Sequence, residues 1–350
     1  MRFGSLGYVG WVSAPQTLRD DRGLVARNPT HRELHGVGLR ANGRTGRGRQ
    51  VLGALTQPTV LVFVLALLTS PSLAFARPLK IVASFSILAD MVSQVAGPHA
   101  EVIALVGPGG DAHTFDPSPA DAAKLTGADL IVVNGLGFDG WMLRLAQAAG
   151  TTAGIVTAST DVTPLPATEA GEGVPDPHAW QDPRNGGLYV RAIEVALTRA
   201  DPAHAADFTA NADKFISELD EIDGAARKQL SGIAQNRRKI ITSHDAFGYF
   251  GRAYGVTMLA PEGISTEQEP SVAAVARLID QIRTETIGAV FLENMANPKL
   301  IETIRRDTGA ADGGTLYSDS TSPPDGPAPT YLTMLRYNIG KLVAAMTRAP

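Results

Sequence analysis

The sequence predicts an α/β protein of two lobes, each built on a mostly parallel sheet, joined by a long rigid helix and meeting at a cleft. Three observations lead there. From Pro78 to Ala158, short β-rich apolar runs alternate with amphipathic segments of helical period. The same alternation restarts at Lys239. Between the two series lies Pro202 to Leu230, where Phe208, Ala212, Phe215, Leu219 and Ile222 recur every three or four residues. A chain of 350 residues, 44% hydrophobic and 19% charged, has enough apolar surface for one large core or two ordinary ones.

In chain order, Lys80–Phe85 reads as a buried strand, Ile87–Val95 as a helix closed by Gly97, and Glu101–Val106 as a second strand. Ser118-Pro119 starts a helix running to Leu125, because proline suits the first helical position. Asp129–Val133 and Gly154–Ala158 are further strands flanking a helix from Trp141 to Ala149. Pro, Gly and acidic residues make 161–177 a loop, after which Leu188–Arg199 and the long Pro202–Leu230 are helices. The second series has strands at Lys239–Ser243, Val256–Ala260, Ala289–Glu293 and Thr315–Tyr317. Its helices fall at Ser271–Thr284, Pro298–Asp307 and Thr330–Met346. The resulting division is 77–200 for the first lobe, 201–231 for the linking helix and 232–350 for the second lobe.

The N-terminal part is expected to stand outside this fold. Residues 1–76 hold nine of the 31 basic residues, all Arg, and three of the 35 acids, so the remainder carries 22 basic and 32 acidic side chains, a net of −10. Such a balance gives no positive footprint for phosphates and excludes a nucleic-acid partner. Thr59–Leu68 is apolar without a break, follows Arg40, Arg44, Arg47 and Arg49, and precedes Ala74-Phe75-Ala76. A basic region, a short apolar run and an A-x-A site make 51–76 a secretory signal cleaved after Ala76. Against the ~20 residues of a membrane span the run is short, with an uncleaved anchor as the alternative. Residues 1–50 are Gly- and Arg-rich without apolar periodicity, as an upstream extension or disordered segment would be.

Cysteine is absent, which removes thiolate sites, disulfides, iron–sulfur clusters and a lipid anchor on an N-terminal Cys. Metal chemistry here must use N and O ligands. After residue 76 only five histidines remain: His99, His113, His178, His204 and His244. His113, His178 and His244 each sit in a polar loop or just past a strand, beside Asp and close to Pro or an aromatic residue. Loops at strand C-termini line the cleft of an open α/β sheet, so three imidazoles and a carboxylate brought there would complete a zinc shell. Spacing by itself leaves ordinary loop histidines as the alternative. His99 and His204 read as solvated turn residues, and Phe247, Tyr249 and Phe250, at helical spacing, as core.

Six segments together raise the metal reading: Ile81-Val-Ala-Ser-Phe-Ser-Ile, Gly110-Asp-Ala-His113-Thr-Phe-Asp-Pro-Ser-Pro, Asn134-Gly-Leu-Gly-Phe, Asp176-Pro-His178-Ala-Trp, Ser243-His244-Asp-Ala-Phe-Gly-Tyr-Phe and Tyr317-Ser-Asp319-Ser. In these the chain resembles the metal-binding solute receptors of ABC transporters, from about Leu79 to Met346. The resemblance implies four ligands, His113, His178, His244 and Asp319, in the cleft between the lobes, two from each. It implies a soluble, monomeric periplasmic receptor that delivers its ion to an ABC permease, with room for a periplasmic metallochaperone as a further partner, and no catalysed reaction. Manganese-type relatives carry Glu at the third place. His244 there points to Zn2+, in agreement with the preference of imidazoles for a borderline-soft cation. The segment 164–175 lacks the His-rich loop that zinc-specific relatives often have, which leaves Mn2+, or iron, open. Ligand imidazoles usually give their second N–H to a carboxylate or carbonyl, for which Asp116, Asp182, Asp245 and Glu293 are candidates.

A competing reading comes from Gly135-Leu-Gly137-Phe-Asp-Gly140, a G-x-G-x-x-G match between a predicted strand and helix with Asp161 about 20 residues on. That pattern would make the protein a periplasmic nucleotide-dependent oxidoreductase. It follows the third strand instead of the first, and export leaves little nicotinamide cofactor to bind.

Overall fold

The computed structural model describes residues 77–166, 174–267, 269–285, 287 and 289–348. The expected extension 1–50 and signal 51–76 lie outside these residues. The first sheet contains β1 (Leu79–Phe85), β2 (Ala100–Val106), β3 (Leu130–Val133) and β4 (Gly154–Thr157). They run parallel in the order β2-β1-β3-β4, and Ile81 pairs with Val102 on one side and Leu130 on the other. From Ile81 to Phe85 every residue of β1 is buried, as a central parallel strand covered on both faces requires. Helices α1 (Ser86–Ala96), α2 (Pro119–Thr126) and α3 (Gly140–Ala149) connect these strands. Ile87, Leu88, Met91, Val92 and Val95 form the buried stripe of α1.

A short antiparallel pair, β5 (Leu165–Pro166) and β6 (Pro175–Asp176), leads into α4 (Pro183–Ala200) and then α5 (Ala205–Ser231). The second sheet holds β7 (Lys239–Ile241), β8 (Thr257–Leu259), β9 (Ala289–Glu293) and β10 (Ala311–Leu316), all parallel, in the order β10-β9-β7-β8. Its helices are α6 (Gly248–Tyr254), α7 (Val272–Glu285), α8 (Pro298–Thr308) and α9 (Tyr331–Arg348). The expected two parallel-sheet lobes and long helix are therefore present. One apolar core runs through both: Ile81 and Val132 of the first sheet, Phe215 and Leu219 of α5, and Ile240, Phe291 and Leu316 of the second sheet belong to the same buried cluster. A smaller cluster of Ile241, Leu278, Ile282, Val290, Ile301 and Ile304 lies between the second sheet and α7 and α8.

Two boundaries differ from the sequence expectation by four or more residues. Helix α4 begins at Pro183 instead of Leu188, because the Asp182 carboxylate caps it by accepting from the Arg184 amide at 2.9 Å. Its Gly186 is a close-approach residue, since a Cβ there would lie 2.6 Å from the Tyr331 hydroxyl. Strand β10 begins at Ala311 instead of Thr315, and its register shifts between Asp312 and Gly314. In both cases paired glycines imitate a turn in the sequence.

Candidate metal centre

The four residues singled out come from loops at the ends of elements. His113 lies between β2 and α2, His178 just after β6, His244 just after β7 and Asp319 just after β10. His178, His244 and Asp319 are fully buried, and the His113 side chain is 6% exposed. The structure brings all four together, with one ligand-type atom from each within 4.8 Å of the others. His113 Nε2 is 3.3 Å from His178 Nε2 and 3.4 Å from Asp319 Oδ2. His244 Nε2 is 3.2 Å from Asp319 Oδ2, and His178 Nε2 is 3.7 Å from Asp319 Oδ1. A tetrahedral centre with bonds of about 2.0–2.1 Å has ligand–ligand edges of about 3.3 Å, so these four of the six separations are close to what one small cation needs.

Polar satisfaction points the same way. His244 Nε2 and both oxygens of Asp319 are buried and face one another and the other two rings, with no further hydrogen-bond partner among the described residues. Leaving buried polar atoms unpaired costs about 1–3 kcal/mol each, and more for charged groups, unless a ligand completes them. Burial alone would lower the His244 pKa, yet the adjoining Glu293 and Asp319 carboxylates raise it well above the usual histidine value. Burial alone would raise that of Asp319, while the His244 and His178 rings hold it well below the usual carboxylate range. The pocket thus strongly favours a carboxylate facing positive charge.

Carboxylates behind the imidazoles fix their direction. Glu293, at the end of β9, accepts from the His244 amide at 2.8 Å through Oε1 and sets Oε2 2.7 Å from Nδ1. Asp176 Oδ1 accepts from the His178 amide at 2.9 Å and lies 2.8 Å from its Nδ1. Of the expected partners, Glu293 has this role, whereas Asp116 is exposed and Asp182 is spent on capping α4. Asp176 went unanticipated, although a signal existed. Asp111-Ala-His113 and Asp176-Pro-His178 share one pattern, and in both the Asp accepts from the amide of the His two residues on at 2.9 Å.

The Gly135–Gly140 turn cannot cradle a nucleotide phosphate. Its own Asp139, buried, accepts from the Asn134 amide at 2.6 Å, the Gly135 amide at 3.1 Å and the Ser84 hydroxyl. Amides that would face phosphate already face a carboxylate. The glycines serve backbone shape: Gly135 has φ +85°, and a Cβ there would meet Thr157 Cγ2 at 2.5 Å. The turn places Phe138 edge-on against the His113 ring at 4.7 Å, walling the site with an apolar face. Phe247, Tyr249 and Phe250 are core residues as expected. His99 and His204 differ from expectation: their rings stack on each other at 3.8 Å, His99 against Asp207 and His204 against Asp201, away from the cluster.

Outside His113 a cleft of about 870 Å³ opens to solvent, walled by Phe138, Pro175, Pro177 and the 261–271 loop, with Glu267 and Glu269 on its rim. Half-buried Glu262 stands close by, its pKa raised by burial and by Glu293, Glu269 and Asp111 against the lowering effect of His244. Negative potential at a cleft mouth draws cations toward it.

Two parallel-sheet lobes that converge three imidazoles and a carboxylate on a cation-sized gap define a solute-binding receptor for a metal ion, and not an enzyme. Over residues 81–345 the sequence matches the family described as zinc-uptake complex component A, periplasmic, and the chain belongs to that family. It is 34% identical over 266 residues to the iron-binding protein YfeA of Yersinia pestis, covering 75% of this chain and 85% of that one. It is 32% identical over 270 residues to the manganese-binding lipoprotein MntA of Halalkalibacterium halodurans, covering 77% and 89%. The fold matches the periplasmic zinc-binding protein TroA from Treponema pallidum with a TM-score of 0.73 and 29% identity, over 77% of this chain and 99% of that one.

Proposed function

We propose that the protein captures Zn2+ through His113, His178, His244 and Asp319 and delivers it to the permease of an ABC transporter. The observation that carries this reading is the convergence of the buried His244 Nε2 and Asp319 oxygens with the His113 and His178 Nε2 atoms. Three imidazoles and one carboxylate complete a closed shell with no position for water, which suits capture and release. Calorimetric titration of Zn2+ into the metal-stripped protein is expected to give saturable 1:1 binding, and no saturation would sink the assignment.

A second reading, Mn2+ or Fe2+ as cargo, has its own support. Asp319 turns both oxygens toward the histidines, Oδ2 to His113 and His244 and Oδ1 to His178, so bidentate binding would supply a fifth donor. Oxygen-rich shells of higher coordination suit manganese, and the relatives named above include iron and manganese binders. Competition at equal concentrations separates the two, because a zinc site rejects manganese. Cleavage after Ala76 would release the mature receptor into the periplasm as a soluble monomer, which N-terminal sequencing of the exported protein checks.

A further inference from the structure

The four proposed ligands differ in how they are enclosed. His178 and His244 each have a carboxylate at Nδ1 and no exposure, whereas His113 alone borders the open cleft. Among the described residues its Nδ1 has no carboxylate partner. What holds His113 is its backbone: its amide donates to Asp111 Oδ1 at 2.9 Å. The other oxygen, Asp111 Oδ2, accepts from the Thr266 hydroxyl at 2.6 Å. Thr266 belongs to the opposite lobe, in the loop after β8.

That loop is otherwise tied to its own side. The Glu262 amide donates to Ser243 O at 3.3 Å and the Asp245 amide to Gly263 O at 3.1 Å, so the loop rides with the His244 segment. Among the described residues, Thr266 to Asp111 is the only hydrogen bond it makes to the first lobe. The rest of the boundary between the lobes is stitched far more heavily. Trp180 Nε1 and Gln181 Nε2 both donate to Ser318 O at 2.8 Å, the Thr321 amide donates to Ser86 Oγ at 3.0 Å, and the Gly109 amide to Thr321 O at 3.2 Å. Opening is therefore easiest where one side-chain hydrogen bond stands alone.

We infer that Thr266 is a positioning residue for metal retention: its hydrogen bond to Asp111 latches the 261–267 segment across the cleft and fixes the His113 backbone, so that the cation enters and leaves on the His113 side. Thr266 touches no ligand atom of the cluster and acts through Asp111. A hydrogen bond to a carboxylate is among the stronger ones, and its loss acts mainly on the exit step.

The inference rests on the metal-receptor reading, and the test keeps the two apart. Zn2+-loaded protein is mixed with excess chromogenic chelator, and metal loss is followed by stopped flow for wild type, Thr266→Val and Thr266→Ser. Thr266→Val keeps the shape and removes the hydroxyl, and is expected to release zinc about tenfold faster than wild type. Thr266→Ser restores the donor and is expected to release at the wild-type rate, which a role in packing alone would not produce. Equal rates for wild type and Thr266→Val, or equally fast release from both variants, overturn the latch while leaving the ligand assignment standing. A wild-type protein that retains neither Zn2+ nor Mn2+ overturns the receptor reading and the latch together.

Discussion

At the scale of single residues, the site is a matter of which nitrogens and oxygens have nothing else to bind. His99 and His204 spend a ring nitrogen each on Asp207 and Asp201 and their faces on each other. His244 spends Nδ1 on Glu293 and keeps Nε2 for the cluster. Replacing His244 with Ala is therefore expected to abolish tight zinc binding, whereas His99→Ala and His204→Ala leave affinity near wild type and lower only the melting temperature. Parallel calorimetric and thermal titrations check this, and equal affinity losses in all three would mean the wrong histidines are assigned. Glu293→Gln keeps the shape but weakens the charge behind His244, and about 10–100-fold weaker binding is expected. The histidines and Asp319 were legible because their surrounding segments match the family pattern. Asp176 was not, because a loop aspartate two residues before a histidine also reads as an ordinary turn former. Only the tertiary placement, with Tyr249 donating to the Asp176 carbonyl at 3.1 Å and Gly248 leaving room for its carboxylate, shows it aimed at His178 Nδ1.

Whole elements follow from local chemistry where a cap or stripe is written in the chain, and escape it where glycines have a tertiary purpose. Helix α2, eight residues long, is set by a capping box. The Ser118 hydroxyl accepts from the Asp121 amide at 3.3 Å, and Asp121 Oδ2 accepts from the Ser118 amide at 2.9 Å. With Lys124 Nζ 2.8 Å from Oδ1, and the Ser118 hydrogen bonds adding to it, the Asp121 pKa is lowered to about 2. Against an unfolded value of about 3.9, a lowered folded pKa gives stability that is present above about pH 4 and lost as the pH falls toward 2. Asp121→Ala is expected to cost about 1 kcal/mol near pH 7 and to converge with wild type toward pH 2. Denaturant melts across that range check it, and a constant difference down to pH 2 would deny the carboxylate this role. The legible cap contrasts with α4, whose first turn holds Asn185-Gly186-Gly187. The sequence alone offers no Tyr331 hydroxyl to explain why a glycine must stand in a helix there, so those residues read as a turn and the helix is expected too late.

For the whole molecule, the arrangement of ties decides how a cargo can leave. Helix α5 runs 27 residues without proline, about 40 Å at 1.5 Å per residue. Its buried Asp223 accepts from Arg184 Nε of α4 at 3.1 Å and from the Tyr254 hydroxyl of α6 at 3.0 Å, gripping both halves. The core continues unbroken through both sheets, so a wide hinge rotation would tear packed apolar surface. Loop 176–182 is anchored. Ala179 and Trp180 are fully buried, and two side-chain hydrogen bonds run from it to Ser318. This leaves the 261–267 segment, partly exposed and, among the described residues, joined across the cleft by one hydrogen bond, as the part able to move at low cost. Hydrogen exchange compared between metal-free and zinc-loaded protein is expected to change most in 261–267 and around His113, with the 176–182 and 318–321 amides protected in both states. Exchange rising together in 176–182 and 318–321 on metal removal would mean that the stitched edge parts as well, and that release proceeds by a rigid swing of whole lobes instead of by movement of one loop.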